Sequence, residues 1–260
     1  MNVELTKGAP QLAHERIDLL GVLVSAINLM LACEIIDDWL KRRVKTYVCV
    51  APVATLVECQ RNPDYKNVVN QAGMVTPDGM PLVWLGKCAG NKTIERTYGP
   101  DLMLKLCGFG ESRGYKHFFL GSLPQVCEQL ERNLRQQFPE LKVVGKISPP
   151  FEDSVQLQEA AVLEKINQQD PDILWVSLGS PKQDFWMVRH RPLLNVPVMI
   201  GIGAAFDFLS GAKPQAPRWM QRAGLEWLFR LGSEPRRLWK RYLIGNSLFI
   251  FYLLKNIFKK

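Results

Sequence analysis

The chain has 260 residues, 47% of them apolar and 22% charged, which is enough for one sizeable core with an appendage and excludes a disordered or low-complexity chain. Its six cysteines (Cys33, Cys49, Cys59, Cys88, Cys107, Cys127) are scattered without a C-x-x-C pair, so they read as reduced thiols of a cytosolic protein and not as a zinc or disulfide scaffold. The net charge of +8 does not mark a nucleic-acid binder: residues 1–212 carry 22 Lys/Arg against 23 Asp/Glu, while residues 213–260 carry 11 against 2, an aromatic-rich basic segment suited to an anionic membrane surface or a phosphate-bearing ligand.

From the N-terminus, the opening MNVELTKGAPQLAHERIDLLG is polar and mixed in charge, unlike a signal peptide. Short runs rich in Val, Ile and Phe predict strands at 16–22, 47–51, 73–76, 116–121, 142–147, 172–179 and 196–203. Longer patterned stretches predict helices at 28–42, 54–61, 64–71, 80–88, 100–108, 124–138, 154–168 and 182–190. Pro124 suits the first turn of its helix, Ser154 can cap the next, and Pro139 ends the one before. Such alternation over 200 residues argues an α/β fold, a Rossmann-like, largely parallel sheet flanked by helices. Composition changes near Gly211-Ala212-Lys213-Pro214, which divides the chain into an α/β unit at 1–212 and a basic helical appendage at 213–260.

In open parallel sheets ligands bind beyond the carboxyl ends of the strands. Three predicted strands run into glycine-bearing loops there, around Gly121, Gly179 and Gly203, where tight turns and free N–H groups favour a nucleotide or another phosphorylated ligand. NAD fits poorly: GIGAAF has Phe206 in the third glycine's place and lies late in the chain. Asp78, between Pro77 and Gly79, follows another strand at the same edge. It suits two roles, a cap for the helix behind it or a general base. No second acid pairs with it, no Ser-His-Asp set assembles, and His14, His117 and His190 read as structural. Asp170-Pro171-Asp172 has the spacing of a metal-diphosphate motif but precedes a strand, at the wrong edge, so no metal site is expected.

Residues 219–258 read as helices. The apolar run 242–254 is 13 residues long with Gly245-Asn246-Ser247 inside, short of the roughly 20 a span needs. It suits an interfacial amphipathic helix, with Phe249, Phe251, Tyr252 and Phe258 inward and Lys255, Lys259 and Lys260 at the headgroups, or a helix packed on the protein's own core. Arg230 and Arg237 are candidates for a diphosphate, since a guanidinium binds two oxygens at once.

Six stretches in order, VTPDGMPLVW (75–84), YGPDLM (98–103), LGSPKQDFW (178–186), GIGAAFDFLSG (201–211), APRWMQRAGLEWLFRL (216–231) and EPRRLWKRY (234–242), resemble the WecG/TagA/CpsF glycosyltransferases of bacteria. The resemblance implies an inverting, metal-independent transfer of a hexose or N-acetylhexosamine, N-acetylmannosamine in the best-known members. The donor is a UDP-sugar and the acceptor a polyprenyl-diphosphate-linked saccharide, at the cytoplasmic face of the inner membrane, in cell-surface polysaccharide synthesis. It implies Asp78 as the base and donor contacts from Thr55, Pro77, Gly79, Gly121, Gly179, Ser180, Gln183, Gly203 and Asp207. Acceptor or diphosphate contacts would come from Arg230, Arg237, Lys240 and Arg241. Neither cofactor nor nucleic acid is expected, and a homo-oligomer is left open. Two departures stand out: Lys240 replaces an arginine, and VAPVAT (50–55) has Ala51 and Val53 where Thr and Asn are common. A non-catalytic, membrane-associated UDP-sugar-binding subunit is the alternative.

Overall fold

The structure is a computed structural model that describes residues 13–148 and 155–257. Ser154, Phe258, Lys259 and Lys260, given roles above, lie outside the described residues. The chain begins with an antiparallel hairpin, β1 (Arg16–Leu19) and β2 (Val22–Ser25). A single strand is expected at 16–22, but Leu20 and Gly21 have φ of 61° and 76°, the two positive angles of a tight hairpin turn.

The alternation predicted from sequence follows: α1 (Leu29–Lys41), β3 (Thr46–Ala51), α2 (Val53–Arg61), α3 (Pro63–Asn70), β4 (Met74–Pro77), α4 (Met80–Cys88), α5 (Gly99–Arg113), β5 (Lys116–Gly121), α6 (Pro124–Gln137), β6 (Lys142–Ile147), α7 (Val155–Gln169), β7 (Ile173–Ser177), α8 (Lys182–His190) and β8 (Val198–Gly201). Six parallel strands form one sheet in the order β4-β3-β8-β7-β5-β6. The hairpin lies against the β4 edge, where Val75 N donates to Ser25 Oγ at 3.0 Å. Arg16 caps the Ala72 and Gly73 carbonyls at 2.6 and 2.7 Å beside it.

Alternate residues of the inner strands feed two cores. Val48, Phe119, Trp175 and Ile200 pack with α1, α5 and α6, while Tyr47, Phe118, Leu174 and Met199 pack with α2, α3, α7 and α8. Burial on both faces is why these strands read as unbroken apolar runs. Helix α5 runs to Arg113, past the expected end at 108, because Gly108 and Gly110, weak helix formers, are small enough to admit Phe138 and His117 against it. His117 Nδ1 accepts from Trp175 Nε1 at 3.0 Å and His190 Nε2 lies 2.8 Å from Glu159. His14 Nε2 sits 2.7 Å from Ser25 Oγ, so all three histidines are tied into the fold. Asp170 pairs with Lys116 and Arg43, and Asp172 accepts from Lys116 N, at the amino edge of the sheet.

Gly121 ends β5 at φ +114°, and a Cβ there would lie 2.3 Å from the Ser177 carbonyl oxygen. Gly121→Ala is expected to cost about 2–4 kcal/mol of stability, read as a lower urea midpoint with an unchanged m-value.

Beyond β8 come α9 (Ala205–Leu209), α10 (Arg218–Arg222), α11 (Glu226–Ser233), α12 (Pro235–Trp239), a π-helical turn (Lys240–Ile244) and α13 (Gly245–Ile257). Helix α13 packs on α2 with Phe249 only 5% exposed, and Leu248, Tyr252 and Leu253 lie against the same core. The expectation that Phe249 and Tyr252 face a bilayer is therefore corrected: that face belongs to the protein. The opposite face shows Leu243, Ile244, Ile250, Phe251 and Leu254, all exposed, with Lys240 and Lys255 beside them. Among the described residues no helix is long and apolar enough to cross a membrane.

Candidate active site

Strand β4 pairs with β3 so that Pro77 sits opposite Ala51. The residue after each strand therefore meets at one rim, Asp78 beside the first turn of α2. The carboxylate does not cap α4, whose N-cap is Gly79 and which has no side-chain cap bond. Its Oδ1 is buried and accepts no hydrogen bond. The nearest cation, Arg96 Nη2, is 3.7 Å away. Burial pushes the Asp78 carboxyl up to about 6, with Glu226 acting in the same direction and Arg96, Arg230 and Arg241 opposing.

Asp78 lies in the wall of a cavity of about 530 Å³. Its lining carries charge from Arg96, Glu226, Arg230 and Arg241. Apolar side chains make up much of the rest, from Val53 of α2 to Trp227, Leu243, Phe249, Ile250 and Leu253 of the tail. Arg96 donates Nε to the Asp78 carbonyl at 2.5 Å and pairs with Glu226. Its guanidinium lies 4.1 Å from the Tyr98 ring centroid, and the Tyr98 hydroxyl donates to Glu226 Oε1 at 3.1 Å. Together with the Arg218–Asp101 pair (2.8 Å on both oxygens), these contacts fasten α10 and α11 to the rim.

The glycine loops form a second group along the same edge. Gln183, 1% exposed, takes the Gly179 and Gly203 N–H groups on its Oε1 at 3.2 and 3.1 Å and gives Nε2 to Ser180 Oγ at 3.1 Å. One amide thus fixes the loops after β7 and β8 against each other. Asp207 accepts from Ser122 Oγ at 3.2 Å and pairs with Lys213 at 2.7 Å. Arg230, whose guanidinium stacks 5.2 Å from the Phe208 ring, reaches from the cavity towards this group.

Of the residues singled out from sequence, Asp78, Gly79, Arg230 and Arg241 line the cavity. Gly121, Gly179, Ser180, Gln183, Gly203 and Asp207 belong to the loops along the edge, and Pro77 is buried beneath Asp78. Thr55 is 4% exposed inside α2, its side chain hydrogen-bonded with Tyr65. Arg237 is engaged by Glu234 through two contacts of 2.6 Å, and Lys240 is exposed over the Trp239 ring. Arg241, one position on from Lys240, lines the cavity. Arg96 and Glu226 escape the sequence reading, because neither a loop arginine nor a helix-opening glutamate carries a periodicity or spacing signal. Their only trace is the adjacency of YGPDLM and the inclusion of Glu226 in AGLEWLFRL.

The profile of the Glycosyl transferase WecG/TagA/CpsF family matches residues 17–260. A Bacillus spizizenii protein named N-acetylglucosaminyldiphosphoundecaprenol N-acetyl-beta-D-mannosaminyltransferase is 31% identical over 186 residues, 72% of this chain and 70% of its own length. A Bacillus subtilis protein of the same name is 30% identical over 183 residues, 70% of this chain and 69% of its own length.

Proposed function

The chain belongs to the WecG/TagA/CpsF family of glycosyltransferases, and from that premise we propose that it moves a sugar from a UDP donor to a saccharide carried on polyprenyl diphosphate, with Asp78 as the base. The observation that carries this reading is the half-buried Asp78 carboxylate, whose buried Oδ1 accepts no hydrogen bond, in a cavity lined by arginines together with apolar side chains. The relatives' names supply the acceptor class, N-acetylglucosamine on undecaprenyl diphosphate.

The acceptor hydroxyl oxygen attacks the anomeric carbon, the bond from that carbon to the β-phosphate oxygen breaks, UDP leaves with the electron pair, and the hydroxyl proton passes to Asp78. A single displacement inverts the anomeric centre. A carboxyl near 6 is ionised at neutral pH yet basic enough to share the proton as the bond forms. The departing diphosphate is stabilised by Arg230, Arg241 and the amides that open α2. These groups carry enough positive charge for transfer without a metal, so turnover should survive EDTA.

The division of labour proposed is a UDP-sugar-binding catalytic unit at 1–212 and a membrane and lipid-diphosphate arm at 213–260, with peripheral attachment to the inner face of the cell membrane. The donor loops rest on Gln183. Gln183→Ala is expected to raise the donor KM about tenfold, the worth of one to two hydrogen bonds, with kcat little changed. The overall reading is tested by incubating the isolated chain with a panel of UDP-hexoses and UDP-N-acetylhexosamines and N-acetylglucosaminyl-diphosphoundecaprenol, with products followed by mass spectrometry. A lipid-linked disaccharide and stoichiometric UDP support it. UDP binding without turnover on every donor favours the non-catalytic subunit.

A further inference from the structure

Two carboxylates compete for one guanidinium at the rim. Arg96 gives Nε to the backbone carbonyl of Asp78 at 2.5 Å and Nη2 to Glu226. The same Nη2 stops 3.7 Å short of Asp78 Oδ1, beyond hydrogen-bond reach. Glu226 is the first residue of α11 and is held on its other oxygen by the Tyr98 hydroxyl at 3.1 Å, itself hydrogen-bonded by Gln215 at 3.1 Å. The charged groups facing Asp78 are Arg96 from the loop before α5, Glu226 and Arg230 from α11, and Arg241 from the π-helical turn. Glu226 in turn faces Arg96, Tyr98, Arg218 and Tyr242, of which Arg218 is committed to Asp101. Other ties between tail and body, Arg218–Asp101 and Lys213–Asp207, do not involve Asp78.

A guanidinium released from Glu226 has an unpartnered carboxylate oxygen waiting beside it and need move only about 1 Å to hydrogen-bond it. Charge-paired in that way, a carboxylate is a poor base. We propose that Glu226 is a positioning residue that draws Arg96 away from Asp78, so that the base is competent only while α11 is docked on the rim. This rests on the reading of Asp78 as the base. It gives the tail a second task beside binding: with α11 undocked, Arg96 quenches the carboxylate, and a bound UDP-sugar faces no base that could activate water.

The test uses the full chain with ¹³C-carboxyl-labelled aspartate, the Asp78 resonance being assigned by its loss in Asp78→Asn. In Glu226→Gln, which keeps the shape and removes the charge, the Asp78 titration midpoint is expected to fall by about one pH unit or more. The acid limb of kcat/KM should follow it, and kcat at pH 7 should drop about tenfold, with both KM values changed less than twofold. Adding Arg96→Gln should return the midpoint to the wild-type value or above. A midpoint in Glu226→Gln that is unmoved or raised overturns the proposal. If that variant does not unfold cooperatively, Glu226→Asp, whose shorter carboxylate retreats from Arg96, is expected to show a smaller fall, and an unmoved midpoint there overturns it equally. The titration is read without turnover, so its failure is separate from that of the base assignment, which full activity of Asp78→Asn would remove.

Discussion

Asp78→Asn is expected to lower turnover by about 10²–10⁴-fold, the range of general-base catalysis, while raising the melting temperature at pH 7.5. The two effects have one origin. The folded protein holds the carboxyl at about 6 against an ordinary value of 3.8, so folding favours the protonated form. The cost of burying the charged form is absent below pH 4, grows as pH rises through 6 and is complete above it. Asparagine never carries that charge, so at pH 7.5 the variant escapes a cost of up to about 3 kcal/mol. For a chain of this length each kcal/mol corresponds to roughly 2–4 °C. The melting-temperature difference should shrink as pH falls and vanish near pH 4. In the wild type, kcat/KM should decline with unit slope below about pH 6. A variant that melts earlier than wild type at pH 7.5 contradicts the burial argument, and one with full turnover contradicts the role.

The second large effect concerns the exposed apolar face of the tail. Ile244, Phe251 and Leu254 are 47%, 55% and 50% exposed, and none of them lines the cavity. Each buries on the order of 1 kcal/mol of apolar surface when it enters an interface. Changing all three to aspartate removes that gain and sets three anions against an anionic leaflet, so vesicle affinity should fall about 10²–10³-fold. Co-sedimentation with phosphatidylglycerol-containing vesicles measures it. The three side chains point away from the core packed by Phe249, Tyr252 and Leu253, so the melting temperature should hold. Transfer to a short-chain, water-soluble acceptor should persist while transfer to the vesicle-borne lipid collapses. Equal loss on both acceptors would assign the face to folding instead of lipid contact.

Much of this was legible in the chain itself. The unbroken apolar runs of β3, β5, β7 and β8 announce strands covered on both faces, and strand-to-helix alternation announces the parallel sheet. Local signals fell short where a distant partner decides the outcome. The β1–β2 turn shows only in the backbone angles of Leu20 and Gly21, and the last turns of α5 only once Phe138 and His117 are in place. For Asp78 local sequence favours a helix cap over a base, and only the family resemblance turns the preference to the base. Gly79 holds the cap position, and that leaves the carboxylate free for chemistry. Of the tail arginines singled out from the sequence, Arg230 lines the cavity, while Arg237 is paired with Glu234 three residues earlier.

Leu243 and Ile250 are at once wall of the cavity and part of the outward apolar face of the tail. On the proposed attachment of α13 to a leaflet, the cavity would border hydrocarbon along Leu243 and Ile250. A polyprenyl carrier would then exchange by lateral diffusion, its chain never crossing water. Encounter becomes a two-dimensional search, so the rate in vesicles or micelles should follow the mole fraction of carrier in the surface and fall when inert lipid dilutes it at constant bulk concentration.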